Sequence, residues 1–190
     1  RRGRGLSATA GVNGQGFRGG ILNLRGALTV TDSTIRGNTG SDGGIRQQGT
    51  SLHIARTAIH DNHSTTRGGG LSIQGGSPNV IRDTTFSANS TTSDGGAIST
   101  YAPLSIANST LSGNHADSHG GGMLVWVGAT AGIYSSSILF NQADADADVS
   151  GGSGAGIYNA GGTVNVLNTL IAGNFLAGFP EYDDCIGTIG

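Results

Sequence analysis

Six times along this chain an apolar residue is followed by two variable residues and an asparagine: Ile35–Asn38, Ile59–Asn62, Phe86–Asn89, Leu111–Asn114, Ile138–Asn141 and Ile171–Asn174. The asparagines Asn38, Asn62, Asn89, Asn114, Asn141 and Asn174 follow one another at intervals of 24, 27, 25, 27 and 33 residues. A fixed motif at a period in the twenties is the mark of a solenoid. There each repeat is one turn of chain that buries its apolar face only against its neighbours.

Three short apolar segments recur within each repeat. The first follows a glycine pair, as in Gly43-Gly44-Ile45, Gly69-Gly70-Leu71 and Gly95-Gly96-Ala97. The second alternates apolar and polar residues, as in Leu28-Thr29-Val30, Leu52-His53-Ile54 and Leu104-Ser105-Ile106. The third leads into the asparagine motif, as in Ser33-Thr34-Ile35. Alternation with period two over so few residues is a strand signal, and no stretch holds a helical period long enough to compete. Three strands per turn with glycine at the corners predict an all-β fold, a right-handed parallel β-helix of about six coils. At the normal strand spacing of ~4.8 Å, six coils would stand roughly 29 Å tall. Residues 1–18 read as the end of a preceding coil, 19–174 as the repeats, and 175–190 as a tail or a distorted final coil.

Two columns are expected to hold the coils in register. Ser33, Thr57, Thr84, Ser109, Ser136 and Thr169 lie two residues before the apolar motif residue and share its inward face. Their stacked hydroxyls would bond up the column, as buried polar groups must. The asparagines would pair coil to coil at a corner, helped by the tolerance of Asn for left-handed backbone.

Composition limits what the exterior can do. Of 190 residues 36 are Gly and only 12% are charged, against about 25% in an ordinary domain. All ten basic residues are Arg, and a net charge of −2 gives no electrostatic ground for nucleic acid or an anionic membrane. The longest apolar run, Met123–Val127, is far too short to cross a bilayer, so direct membrane insertion is not expected. The opening Arg1-Arg2-Gly3-Arg4, with no initiator Met, reads as a trimmed segment of a longer protein.

Candidate sites fall where the repeat breaks. Trp126 interrupts the alternation, with Tyr101 one coil earlier and Tyr134 just beyond. Such aromatics form a patch that stacks on a carbohydrate or docks a protein, unless the long loop that follows folds over them. Asp144, Asp146 and Asp148 alternate as at the start of a calcium loop. Val149 and Ala155 stand where that motif needs Gly and Glu, and a solvated acidic loop is the plainer reading. No cofactor is expected, with calcium at this loop as the alternative.

Sugar cleavage usually needs two carboxylates roughly 5–10 Å apart. Asp32 and Asp83 would stand ~9.6 Å apart, but Arg56 lies between them, which suggests a structural charge ladder. Asp42 and Asp94, each before a glycine pair, read as turn residues, and no Arg aligns beside an acidic cluster. The histidines His53, His60, His63, His115 and His119 show no zinc spacing, and His63 and His115 are expected as exposed corner residues.

The pairing of Gly95-Gly96-Ala97-Ile98 with Phe86-Ser87-Ala88-Asn89 resembles the GGAI and FxxN repeats of polymorphic outer-membrane proteins. More broadly the chain resembles bacterial right-handed β-helix repeat proteins, and Asp184-Cys185-Ile186-Gly187-Thr188 is similar to a segment common near the end of such arrays. The resemblance implies a secreted or surface-displayed protein of adhesin or passenger type. The expected function is a non-enzymatic structural or adhesive module that meets a surface protein, a glycan or neighbouring subunits. A polysaccharide-active lyase or hydrolase, or a subunit of an assembly joined through its open coil ends, are the alternatives.

Overall fold

In a computed structural model, which describes residues 6–7, 19–146, 151–178 and 182–190, the chain winds as a solenoid. Its named strands pair in parallel with the equivalent strands one coil above and below. Each full coil contributes to four sheets rather than the three expected.

A glycine-side sheet runs through Ile21–Asn23, Ile45–Gln47, Leu71–Ile73, Ile98–Thr100, Met123–Trp126, Ile157–Ala160 and Cys185–Ile186. A long sheet holds Ala27–Thr31, Ser51–Ala55, Asn79–Arg82, Leu104–Ala107, Thr130–Tyr134 and Thr163–Leu167, with Leu6–Ser7 paired to Val30–Thr31 at its start. A motif sheet holds the strands that end before each asparagine, from Thr34–Arg36 to Leu170–Ala172. The additional short sheet lies just past each asparagine, in two-residue strands such as His63–Ser64 and Ser90–Thr91. Two residues are too few to display an alternation, so no periodicity could have announced it.

The interior is a stack of like on like. Leu52, Ile54, Ile59, Leu71, Ile81, Phe86, Ile98, Ile106, Leu111 and Ile138 are all at most 1% exposed. Burying each side chain stabilises the fold by roughly 1.5–3 kcal/mol relative to leaving it in water.

Two single-residue bends give each coil its shape. The first falls on Asp32, Arg56, Asp83, Asn108, Ser135 and Asn168, all left-handed with φ between 47° and 56°. The second falls on Gly37, Asp61, Ala88, Gly113, Phe140 and Gly173, one residue before each asparagine. The asparagines themselves are not left-handed, contrary to expectation; their role is in the side chain.

Asn38, Asn62, Asn89, Asn114, Asn141 and Asn174 are all at most 1% exposed and form a continuous ladder. Asn62 Nδ2 donates to Asn89 Oδ1 at 2.9 Å, and the Asn62 backbone N–H donates to the same oxygen at 3.2 Å. Asn89 repeats both bonds onto Asn114, and Asn114 onto Asn141. The second amide hydrogen of Asn89 reaches back to the Ile59 carbonyl at 2.9 Å. Each rung thus satisfies buried backbone in two coils.

The hydroxyl column works differently from the expected hydroxyl-to-hydroxyl chain. Ser109 Oγ donates to the Ala107 carbonyl within its own coil at 2.8 Å and accepts the Thr84 backbone N–H of the coil before at 3.2 Å. Ser33, Thr57, Thr84, Ser136 and Thr169 likewise donate to the carbonyl two residues back. A hydroxyl on a tight bend finds a local carbonyl before it finds the next hydroxyl.

At the far end the chain re-enters register. Cys185–Ile186 pairs with Ile157–Tyr158, and Ile189 bridges Val164. Asp184 stands beside Gly156, and its Oδ1 accepts both the Nδ2 (2.7 Å) and the backbone N–H (3.0 Å) of Asn174. A carboxylate is acceptor-only, which is what the last rung of this ladder requires.

Candidate functional site

The register on the glycine-side sheet departs from the sequence alignment at one coil, and the site depends on it. Ile98, not Ala97, pairs with Leu71, so Ala97 takes the place of the second glycine. That place is small because the ladder lies against it: a Cβ on Gly70 would come within 3.2 Å of the Asn89 amide carbon. The shift moves Asp94 out of line with Asp42 and sets it against Arg67, to which it is bridged.

Arg67 and Asp94 therefore form an ion pair at 3.2 Å, a pairing that the sequence alignment does not predict. Asp94 is further held by Ser93 Oγ at 3.0 Å and lies only 7% exposed. The Arg67 guanidinium reaches outward, 4.8 Å from the centre of the Trp126 ring. Trp126 stacks on Tyr101 with ring centres 4.9 Å apart and planes within 5°, and its Nε1 donates to Ser99 Oγ at 3.1 Å. Partial burial raises the Tyr101 hydroxyl pKa above its usual value, with the Arg67 charge pulling the other way.

Stacking, a cation–π contact and a hydrogen bond fix Trp126 in one orientation on the outer wall, so its surface is preorganised. The same wall continues downward in polar groups. Arg46 is paired with the buried Asp42 and donates to Gln74 Oε1 at 2.8 Å, while Gln74 and Tyr101 line a shallow hollow. Upward, His119 stacks on Tyr158 with centres 4.4 Å apart.

The three aromatics expected together are divided. Tyr134 stands on the long sheet, where its ring lies across Gly132, and it has no ring contact with Tyr101 or Trp126. Both Tyr101 and Tyr134 are more than a third exposed.

Elsewhere the acids and histidines take structural places. Arg56 grips Asp32 through two 2.7 Å bonds and holds its carboxyl below the usual carboxylate range. Asn108 Nδ2 approaches Asp83 at 3.4 Å, continuing this ladder. His63 and His115 are half-buried rather than exposed, tied to Ser90 (2.9 Å) and Gln142 (2.8 Å) in the coil above. In the acidic loop Asp144 is buried, with left-handed backbone, whereas Asp146 is exposed. Asp148 lies outside the described residues, and among those described no three His, Cys, Asp or Glu side chains converge as a metal site. Burial and the neighbouring Asp184 and Asp183 push the Cys185 thiol up to about 11, away from reactivity.

A coiled stack of parallel sheets with one preorganised aromatic and cationic wall defines a β-solenoid class of protein. The chain belongs to the right-handed β-helix family, whose family model, a right-handed beta helix region, matches residues 18–189. No curated protein and no solved structure matched it.

Proposed function

We propose that this β-helix is an extracellular or cell-surface adhesive module of the bacterial kind whose repeats Gly95–Ile98 and Phe86–Asn89 resemble, and that it binds through the Arg67–Tyr101–Trp126 wall. The observation that carries the reading is the fixed Tyr101–Trp126 stack with the Arg67 guanidinium held against it by a buried Asp94. A scaffold with 5% aromatics has little reason to lock two of them on its outside unless that surface meets something. The partner is a surface glycan or protein with a flat face for the rings and an acceptor for the guanidinium. The acids support binding over cleavage, because Asp42 and Asp94 lie in different columns and each anchors an arginine. The test is a glycan array and a surface pull-down with wild type and Trp126→Ala. Signal that Trp126→Ala removes supports the reading, and blank results in both assays reject it.

A second reading, assembly with neighbouring subunits, draws on exposed apolar residues near the C-terminal coils. Leu167 and Phe140 are more than 60% exposed and Leu170 is 57% exposed. Light scattering decides it, since a clean monomer at high concentration rules assembly out.

A further inference from the structure

The third aromatic, Tyr134, belongs to a notch of about 220 Å³ on the long sheet, one that depends on a missing side chain. The outward column of that sheet reads His53, Val80, Ser105, Gly132 and Asn165 in paired register. Gly132 has no left-handed backbone to explain it and sits in the middle of Thr130–Tyr134. What it supplies is space: a Cβ there would lie 2.5 Å from the Tyr134 hydroxyl oxygen. The ring can lie flat across the strand only because residue 132 is glycine.

The walls of the notch are ring faces and uncharged polar groups. Pro78, Pro103 and Tyr134 supply the apolar part, and Ser105, Thr130 and Asn165 the polar part. None of the side chains of Ser105, Thr130 and Asn165 bonds to another described residue, whereas Asn79 beside them donates its amide nitrogen to the Gly76 and Pro103 carbonyls and keeps a buried Oδ1 without a partner. No charged residue lines the notch. Its volume is below the roughly 300–1,000 Å³ of pockets that take drug-sized ligands, so it suits a single ring.

We infer that the Gly132–Tyr134 notch binds one uncharged sugar ring, separately from the Trp126 wall. A pyranose offers an apolar face to Tyr134 and the prolines, and hydroxyls round its edge that both donate and accept. Hydroxyl and amide side chains answer both roles, which an ion pair would not. A proline-rich peptide is the nearest competitor in shape. It presents only carbonyl acceptors along its length and needs several parallel aromatic ridges, where this notch has one tyrosine.

The experiment is saturation-transfer NMR and calorimetry on the whole chain with methyl glucoside, methyl galactoside and N-acetylglucosamine, with glucuronate and a proline-rich peptide alongside. At least one neutral saccharide is expected to bind with a Kd on the order of 1–10 mM. Tyr134→Ala and Gly132→Ser are each expected to weaken it at least about tenfold, one by removing the ring and the other by displacing it. Arg56→Gly, at a bend that touches neither surface, should leave it unchanged, and chemical-shift changes at the Tyr134 ring rather than at the Trp126 indole N–H separate this site from the wall. Melting curves confirm folding, and Tyr134→Ala carries the test alone if Gly132→Ser unfolds. No neutral saccharide bound up to roughly 20 mM, equal or tighter binding of glucuronate, capture of the peptide at the notch, or indifference to Tyr134→Ala would each overturn the inference.

Discussion

The asparagine column and the outer column that holds Trp126 climb the same coils under different rules. One places the same residue at Asn38, Asn62, Asn89, Asn114, Asn141 and Asn174, each buried and each bonded to the next. The other reads Gln48, Gln74, Tyr101, Trp126 and Ala160, and no chemistry lasts more than two coils. In a solenoid every interior position meets its own copy, so a residue that pairs with itself is the stable choice. An outer position has no such partner to satisfy and is free to meet a ligand. Repetition therefore records folding, and its interruption is where we propose that a ligand is met.

Changes to the inner column should cost the fold most. Asn89→Ala removes a bond to Ile59 and one to Asn114, and leaves two donors of Asn62 unpaired in the interior. At about 1–3 kcal/mol for each buried group left unsatisfied, a loss of roughly 3–5 kcal/mol is expected by denaturant titration. A loss under about 1 kcal/mol would mean that water enters and replaces the ladder.

Asp184→Ala sharpens the comparison at the end of the same column. It leaves the two Asn174 donors without their acceptor, yet only the last coil feels it. About 1–3 kcal/mol is expected, seen as faster amide exchange around Asn174 while the Asn62–Asn114 region keeps its protection. Uniform loss of protection would show the coils unfolding as one unit.

On the outer column Trp126→Ala should cost the fold only about 0.5–1.5 kcal/mol beyond the area lost, the usual worth of an aromatic pair. Its main consequence is expected in binding. Arg56→Gly should have the smallest effect: it gives up an exposed ion pair, but places Gly at a left-handed bend where a side chain is strained. Because Arg56 lowers the Asp32 pKa, the contribution of the pair is present above about pH 4, the unfolded value, and fades as pH falls through the lower folded value. Lowering the pH should accordingly cost wild type more stability than Arg56→Gly, and equal or greater acid destabilisation of the variant in melting curves would contradict the assignment.

Much of the fold was legible because its signals repeat: the asparagine spacing, the hydroxyl two residues before each motif and the alternation of Leu52-His53-Ile54 were enough to define coils. The short sheet was not, since strands such as His63–Ser64 are held by pairing rather than by pattern. Aligning Ala97 with the apolar residues hid the Arg67–Asp94 pair. The signal that could have exposed it was the run Gly68-Gly69-Gly70, which matches Gly95-Gly96-Ala97 once Ala is read as a small residue. Trp126 and Tyr101 stood out by position alone, whereas Ser99 beneath the indole and the space over Gly132 have no signature outside three dimensions.

The most direct measurement is a titration of the strongest array ligand against wild type, Trp126→Ala and Tyr134→Ala, with a melting curve for each. If the wall is the contact surface, Trp126→Ala loses at least about tenfold in affinity while melting within roughly 5 °C of wild type, and Tyr134→Ala keeps both properties. Full affinity in Trp126→Ala, or a loss that appears only when the variant unfolds, would contradict the assignment of function to the irregular outer column.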